Sequence, residues 1–138
     1  MIDIESDIYT AVRNAILAKH PNVSVSEEYI SDKGMFPAVT IMESDNSVVR
    51  SRRTINVPDA DLLMYTVNVY SNKAKGKKAE CRAIASTIDE AFANLYFTRT
   101  YLETVPNLYN SSIYRMVGRY EAVVGPGTEE GKYIIYQS

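Results

Sequence analysis

A chain of 138 residues with 46% apolar and 23% charged side chains can bury a core as one domain, without disulfides or a metal, and its composition excludes a disordered polymer. A net charge of −2 gives no global attraction to nucleic acid or to an anionic membrane, so such a contact would need a local basic patch. The single cysteine excludes a disulfide framework, no apolar run approaches the ~20 residues of a spanning helix, and the acidic opening Asp3, Glu5, Asp7 is no secretion signal, so a soluble intracellular protein is expected.

Ile4, Ile8, Val12 and Ile16 recur at helical spacing, with acids at the start, Lys19 and His20 at the end, and Pro21 closing the helix. His20, the one histidine, reads as a favourable charge at that helix end; no triad or histidine metal site has a second histidine to use. From Val23 to Ile30 apolar and polar residues alternate, the Ser31 to Gly34 cluster reads as a turn, and Phe36 to Met42 is a second run of strand formers. These predict two antiparallel strands, with Pro37 at the start of the second. Glu43 to Ala60 reads as a long loop bearing Arg50, Arg52 and Arg53, with Ser47 to Ile55 able to form a hairpin arm.

The stretch from Asp61 to Leu95 is the centre of the chain. Leu63, Tyr65, Val67 and Val69 alternate with Met64, Thr66, Asn68 and Tyr70, which is the period of a central strand. Ser71 and Asn72 are able to cap a following helix. From about Lys75 the period becomes helical, with Cys81, Ile84, Ala85, Ile88, Phe92 and Leu95 forming one apolar stripe. Tyr96 to Val105 follows, then a turn-rich stretch from Pro106 to Ser111. From Ile113 to Val124, Tyr114, Met116, Gly118, Tyr120, Ala122 and Val124 share one face, and Arg115, Val117, Arg119, Glu121 and Val123 the other. Gly125, Pro126 and Gly127 end that strand, and Tyr133 to Tyr136 suits an edge strand or a neighbouring copy. The predicted fold is α+β, a two-layer sandwich: a largely antiparallel sheet of about five or six strands, two helices on one face, and a long loop between strands 2 and 3.

Eleven tyrosines and no tryptophan fit half-exposed sheet positions and surfaces that are dry only when assembled. Catalytic signals are weak. Lys73, Lys75, Lys77 and Lys78 around Gly76 form a basic cluster at a helix start, where the dipole disfavours cations, but the glycine spacing is not that of a phosphate-binding loop. The cluster is a solvated turn or a binding patch. Cys81 lies on the apolar stripe and reads as a buried thiol, and the carboxylate pairs lack an apolar setting that would raise a pKa. The sequence predicts no enzyme, no cofactor and no metal.

Two passages carry a resemblance. Tyr65-Thr66-Val67-Asn68-Val69-Tyr70-Ser71-Asn72 with Lys75-Gly76-Lys77-Lys78-Ala79-Glu80, and Tyr114-Arg115-Met116-Val117-Gly118-Arg119-Tyr120-Glu121-Ala122-Val123-Val124, resemble the tail-terminator or tail-completion proteins of the neck in long-tailed bacteriophages and prophages of Gram-positive bacteria. The resemblance implies a structural protein of the virion tail, built in the host cytoplasm. It implies a homo-hexameric ring that caps the tail tube protein, meets the head-tail connector protein, and lets DNA pass without sequence-specific binding. Arg50, Arg52, Arg53, Lys73, Lys75, Arg115 and Arg119 are the expected interface residues. A head-completion role in the same neck and a small nucleic-acid-binding module are the alternatives.

Overall fold

A computed structural model of the chain describes residues 3–27, 35–48, 60–106, 112–127 and 133–136. Its elements are helix α1 (Glu5–Lys19), strands β1 (Ser24–Ser26), β2 (Ala38–Val48) and β3 (Asp61–Ser71), helix α2 (Lys77–Asn94), and strands β4 (Thr98–Thr104), β5 (Tyr114–Pro126) and β6 (Tyr133–Tyr136). They form the expected α+β sandwich, with the strands in the order β1-β2-β3-β5-β4.

The alternation in β3 and β5 places these strands at the centre. β3 pairs antiparallel with β2 along one border and with β5 along the other, from Ser71 opposite Tyr114 to Asp61 opposite Val124. The far border of β5 is shared end to end: β4 takes Met116 to Glu121 and β6 takes Val123 to Pro126. Period-two geometry then sends Leu63, Tyr65, Val67 and Val69 of β3 and Met116, Tyr120, Ala122 and Val124 of β5 into one layer with Ile8, Val12 and Ile16 of α1 and Ile84, Ile88 and Phe92 of α2. At the centre the Phe92 and Tyr120 rings stack with centroids 4.3 Å apart, and Phe97 meets both Phe92 and Tyr65 edge-on. Such pairs add about 0.5–1.5 kcal/mol each beyond the area they bury.

Hydrogen bonds finish this layer. Tyr120 donates its hydroxyl to Asp89 Oδ1 at 3.2 Å, and burial, followed by the Asp89 charge, pushes the phenol pKa up. His20 Nε2 meets Thr87 Oγ1 at 3.0 Å and Lys19 Nζ meets Glu90 at 3.3 Å, tying the end of α1 to α2. The Thr87 hydroxyl also donates to the Ala83 carbonyl, so the imidazole is the donor toward Thr87. The histidine thus joins two helices as well as closing one.

Three features differ from the sequence reading. β1 pairs parallel with β2, Ser24 opposite Ala38, not as an antiparallel hairpin. Alternation fixes which face a side chain takes but carries no information on strand direction. Here residues 27–37 provide a connection long enough to return the chain to the same end of the sheet, while the Tyr9 hydroxyl donates to the Val25 carbonyl at 3.3 Å and holds β1 against α1. Secondly, β2 continues through Val48, so the Glu43 to Ala60 loop begins later than its polar residues suggest. A bulge at Ser44 shifts the register and pairing resumes with Asp45 opposite Met64. The rest of the expected hairpin arm, residues 49–55, lies outside the described residues, as does the expected turn at 31–34.

Lastly, α2 is not capped by the side chains of Ser71 or Asn72. Gly76 is its N-cap, in the left-handed conformation with φ 85°. Ser71 works from a distance: its hydroxyl donates to Glu80 Oε1 at 2.6 Å and accepts the Lys73 N–H. The acid so anchored sits in the first turn, where the helix dipole favours it. The other end of α2 closes on Leu95, Tyr96 and Phe97: Tyr96 N–H bonds the Ala93 carbonyl and Phe97 N–H the Phe92 carbonyl, both at 3.0 Å. Tyr96 holds φ 65°, a position glycine usually takes in this closing motif.

Candidate functional site

Both helices cover the same side of the sheet, leaving the alternate side chains of β2, β3, β4 and β5 on a face that no helix covers among the described residues, the helix-free face. The register sets its rows. Tyr70 lies opposite Arg115, Asn68 opposite Val117, Thr66 opposite Arg119 and Met64 opposite Glu121. Thr40 and Met42 of β2 flank Asn68 and Thr66, while Tyr101 and Glu103 of β4 flank Arg119 and Val117.

Arg115 is fixed from two directions. Its Nε and Nη2 donate to Asn68 Oδ1 at 3.0 and 2.7 Å, and its guanidinium lies 5.9 Å from the Tyr70 ring centroid. Asn68 is 1% exposed, so the amide oxygen and the cation satisfy each other where water has little access. Phe36 meets Tyr70 edge-on, and Ala38, Tyr70 and Ile113 form a small second apolar cluster at this end of the face. Arg119 stands further along β5 and is exposed, with its guanidinium 5.0 Å from the Tyr101 ring centroid. The Tyr101 hydroxyl donates to Glu103 Oε2 at 3.1 Å, and that bond raises the phenol pKa, with Arg119 opposing it. Stacking on a ring leaves the edge of an arginine available to carboxylates, carbonyls or phosphates.

Thr40 lies beside this network, fully buried, with no hydrogen-bond partner for its Oγ1 among the described residues. On the bulged part of β2, Thr66 Oγ1 donates to Ser44 Oγ at 2.9 Å and Ser44 Oγ to the Met64 carbonyl at 3.2 Å.

Of the sequence-predicted interface residues, Arg115 and Arg119 are brought together on the helix-free face. Lys73 and Lys75 are exposed on the turn that follows β3, at the end of the sheet where Tyr70 meets Arg115. Within the same lysine cluster, Lys77 donates to the Ser112 carbonyl at 3.3 Å and so pins α2 to the start of β5. Arg50, Arg52 and Arg53 lie outside the described residues. Sequence reasoning missed Asn68, Tyr70 and Tyr101 as the groups that hold the two arginines. The signal was present in principle, since pairing the two clearest alternating runs antiparallel sets polar residues of one beside arginines of the other.

Cys81 is buried against the Val69 and Tyr114 carbonyls, and burial pushes its thiol pKa up to about 12, so it remains a protonated packing group. Among the described residues no group of three or more His, Cys, Asp or Glu is arranged to hold a metal, and no helix is long and apolar enough to cross a membrane. Compared with known proteins, the chain matches no family model and no curated protein.

Proposed function

We propose that this chain is a structural protein of the neck of a long-tailed bacteriophage or prophage, a tail terminator that forms a ring on the end of the tail tube, stops its growth and joins it to the head connector. The observation that carries the reading is the helix-free sheet face, where Arg115 and Arg119 are held in place by Asn68, Tyr70 and Tyr101 beside half-buried Met42, Met64 and Thr66. Rigid cations set among aromatic and apolar groups suit a protein surface that loses water on assembly. The sheet also ends on β1 at one side and on β4 and β6 at the other, strands that pair with a single neighbouring strand among the described residues, as suits a subunit that packs beside copies of itself. The resemblance of the Tyr65 to Glu80 and Tyr114 to Val124 passages to tail-terminator proteins supplies the assembly. The partners are then further copies of this chain, the tube protein and the connector, with DNA passing through the ring.

The test is electron microscopy of purified tail tubes mixed with the protein. A ring at one end of each tube, and an arrest of further tube growth, is the expected result. Tubes that stay uncapped and keep lengthening would reject the reading.

A further inference from the structure

Residues 73–86 hold five cations, Lys73, Lys75, Lys77, Lys78 and Arg82, against one carboxylate, Glu80, in a chain whose net charge is −2, so the rest of the molecule is the more acidic. Folding gives these cations little to do. They stand on the turn that leaves β3 and in the first turns of α2, where the helix dipole opposes positive charge. Of their side chains, only that of Lys77 makes a hydrogen bond among the described residues, to the Ser112 carbonyl. Lys73, Lys75, Lys78 and Arg82 are exposed, and none has a carboxylate partner among the described residues. Glu80 is the acid that would neutralise them, and its Oε1 is held by the Ser71 hydroxyl at 2.6 Å.

Lys78 and Arg82 are four residues apart and neighbour each other on the outer flank of α2. The other exposed positions of that flank are Ala79, Ala83 and Ser86, so no bulky side chain of the helix stands between the cations and a broad, rigid partner. Further along α2 the acids are engaged, Asp89 with Tyr120 and Arg99 and Glu90 with Lys19. From 77 to 86 the helix has no aromatic residue, and its apolar groups Cys81, Ile84 and Ala85 are buried in the core. A protein interface centres on apolar or aromatic groups, and single-stranded nucleic acid is held by bases stacked on rings. This flank offers neither. It offers unpaired cations in a close group, which is what the phosphates of a duplex attract.

We propose that the flank from Lys73 to Arg82 lies against the phosphate backbone of a nucleic-acid duplex and binds it without reading its sequence. The contacts are made by Lys73, Lys75, Lys78 and Arg82, and not by free N–H groups at the helix start. Binding is driven by the counterions that the phosphates release. The inference rests on the charge of α2 and its preceding turn and stands without the neck reading. A backbone contact is compatible with DNA that passes through a ring.

The probe is a short labelled DNA duplex of mixed sequence, titrated with the whole chain in fluorescence anisotropy at several salt concentrations. Affinity should fall with salt, with a slope of log K on log salt of about −3 to −4 for four phosphate contacts. Lys78→Gln with Arg82→Gln should weaken binding about tenfold or more at low salt and make the slope shallower by about 2. Arg13→Glu, at an exposed position of α1, changes the net charge by the same amount and should leave binding unaltered. A second duplex of unrelated sequence should bind alike. Circular dichroism and thermal melting establish that the variants are folded. No binding at low salt, undiminished binding by the double variant, or an equal loss in Arg13→Glu would overturn the proposal. A preference of more than about tenfold between the two duplexes would refute a backbone-only contact. Tighter binding of single-stranded DNA, or of polyglutamate, would give the flank to a single strand or to an acidic protein, and would also overturn it.

Discussion

The two faces of this sheet are made by the same strands and differ only in which alternate residue each receives. On the covered face, Tyr65 and Tyr120 are buried with Phe92 and Phe97, and their hydroxyls reach Glu43 and Asp89. On the helix-free face, Tyr70 and Tyr101 lie under arginines. One residue type thus closes a core on one side and holds cations in position on the other. Stability should reside in the first face and binding in the second, with Asn68 as the point where the second also contributes to stability.

That division is broken most severely at Phe92. Phe92→Ala removes the ring stacked on Tyr120 and should cost about 4 kcal/mol, read as a fall in the urea midpoint. A cost under about 1 kcal/mol would mean that the aromatic layer is not the core. Asn68→Ala comes next, at about 2 kcal/mol, because it leaves the buried side of Arg115 without its acceptor. Replacing Asn68 and Arg115 together should cost less than the sum, which a double-mutant cycle reads directly.

Two substitutions should stabilise. Tyr96→Gly relieves a left-handed backbone at the end of α2 and should raise stability by about 1 kcal/mol, with little change in the far-ultraviolet spectrum. Thr40→Val removes a buried hydroxyl without a partner on the helix-free side, for a gain of up to about 1 kcal/mol in denaturant melts.

The smallest expected effect depends on pH. Burial, then Glu5 and Asp3, raise the pKa of Glu43 in the folded protein. The protonated form is therefore favoured on folding. Its contribution is complete below the ordinary glutamate pKa and is lost as pH rises through the folded value. Glu43→Gln should accordingly stabilise near pH 7, by at most about 1 kcal/mol because the carboxylate remains partly hydrated. The gain should vanish below about pH 4, as paired denaturation curves would show.

The same contrast explains what was legible in the sequence. Faces were legible: β3 and β5 announce their core sides by alternation, and α2 by its stripe from Cys81 to Phe92. Directions and extents were not. Period two is blind to the parallel pairing of β1, and Glu43 to Val48 reads as loop because Ser44, Asp45, Asn46 and Ser47 are polar, while the pairing that makes it strand comes from Asp61 to Tyr65. The closing turn of α2 was hidden because Tyr96 occupies the position where a glycine would have marked it. At the candidate site, Arg115 and Arg119 were visible as charges on a strand. Their supports were not, because Asn68 and Tyr101 come from strands far apart in the chain.

The central claim is that the helix-free face is the assembly surface, and thiol protection at Arg119→Cys tests it most directly. Cys81 is buried and protonated, so a maleimide should report the new thiol. Incubation with purified tail tubes should sharply slow labelling at position 119 and leave Arg13→Cys on α1 unchanged. Unaltered labelling at position 119 on tubes that visibly carry the protein would contradict the account.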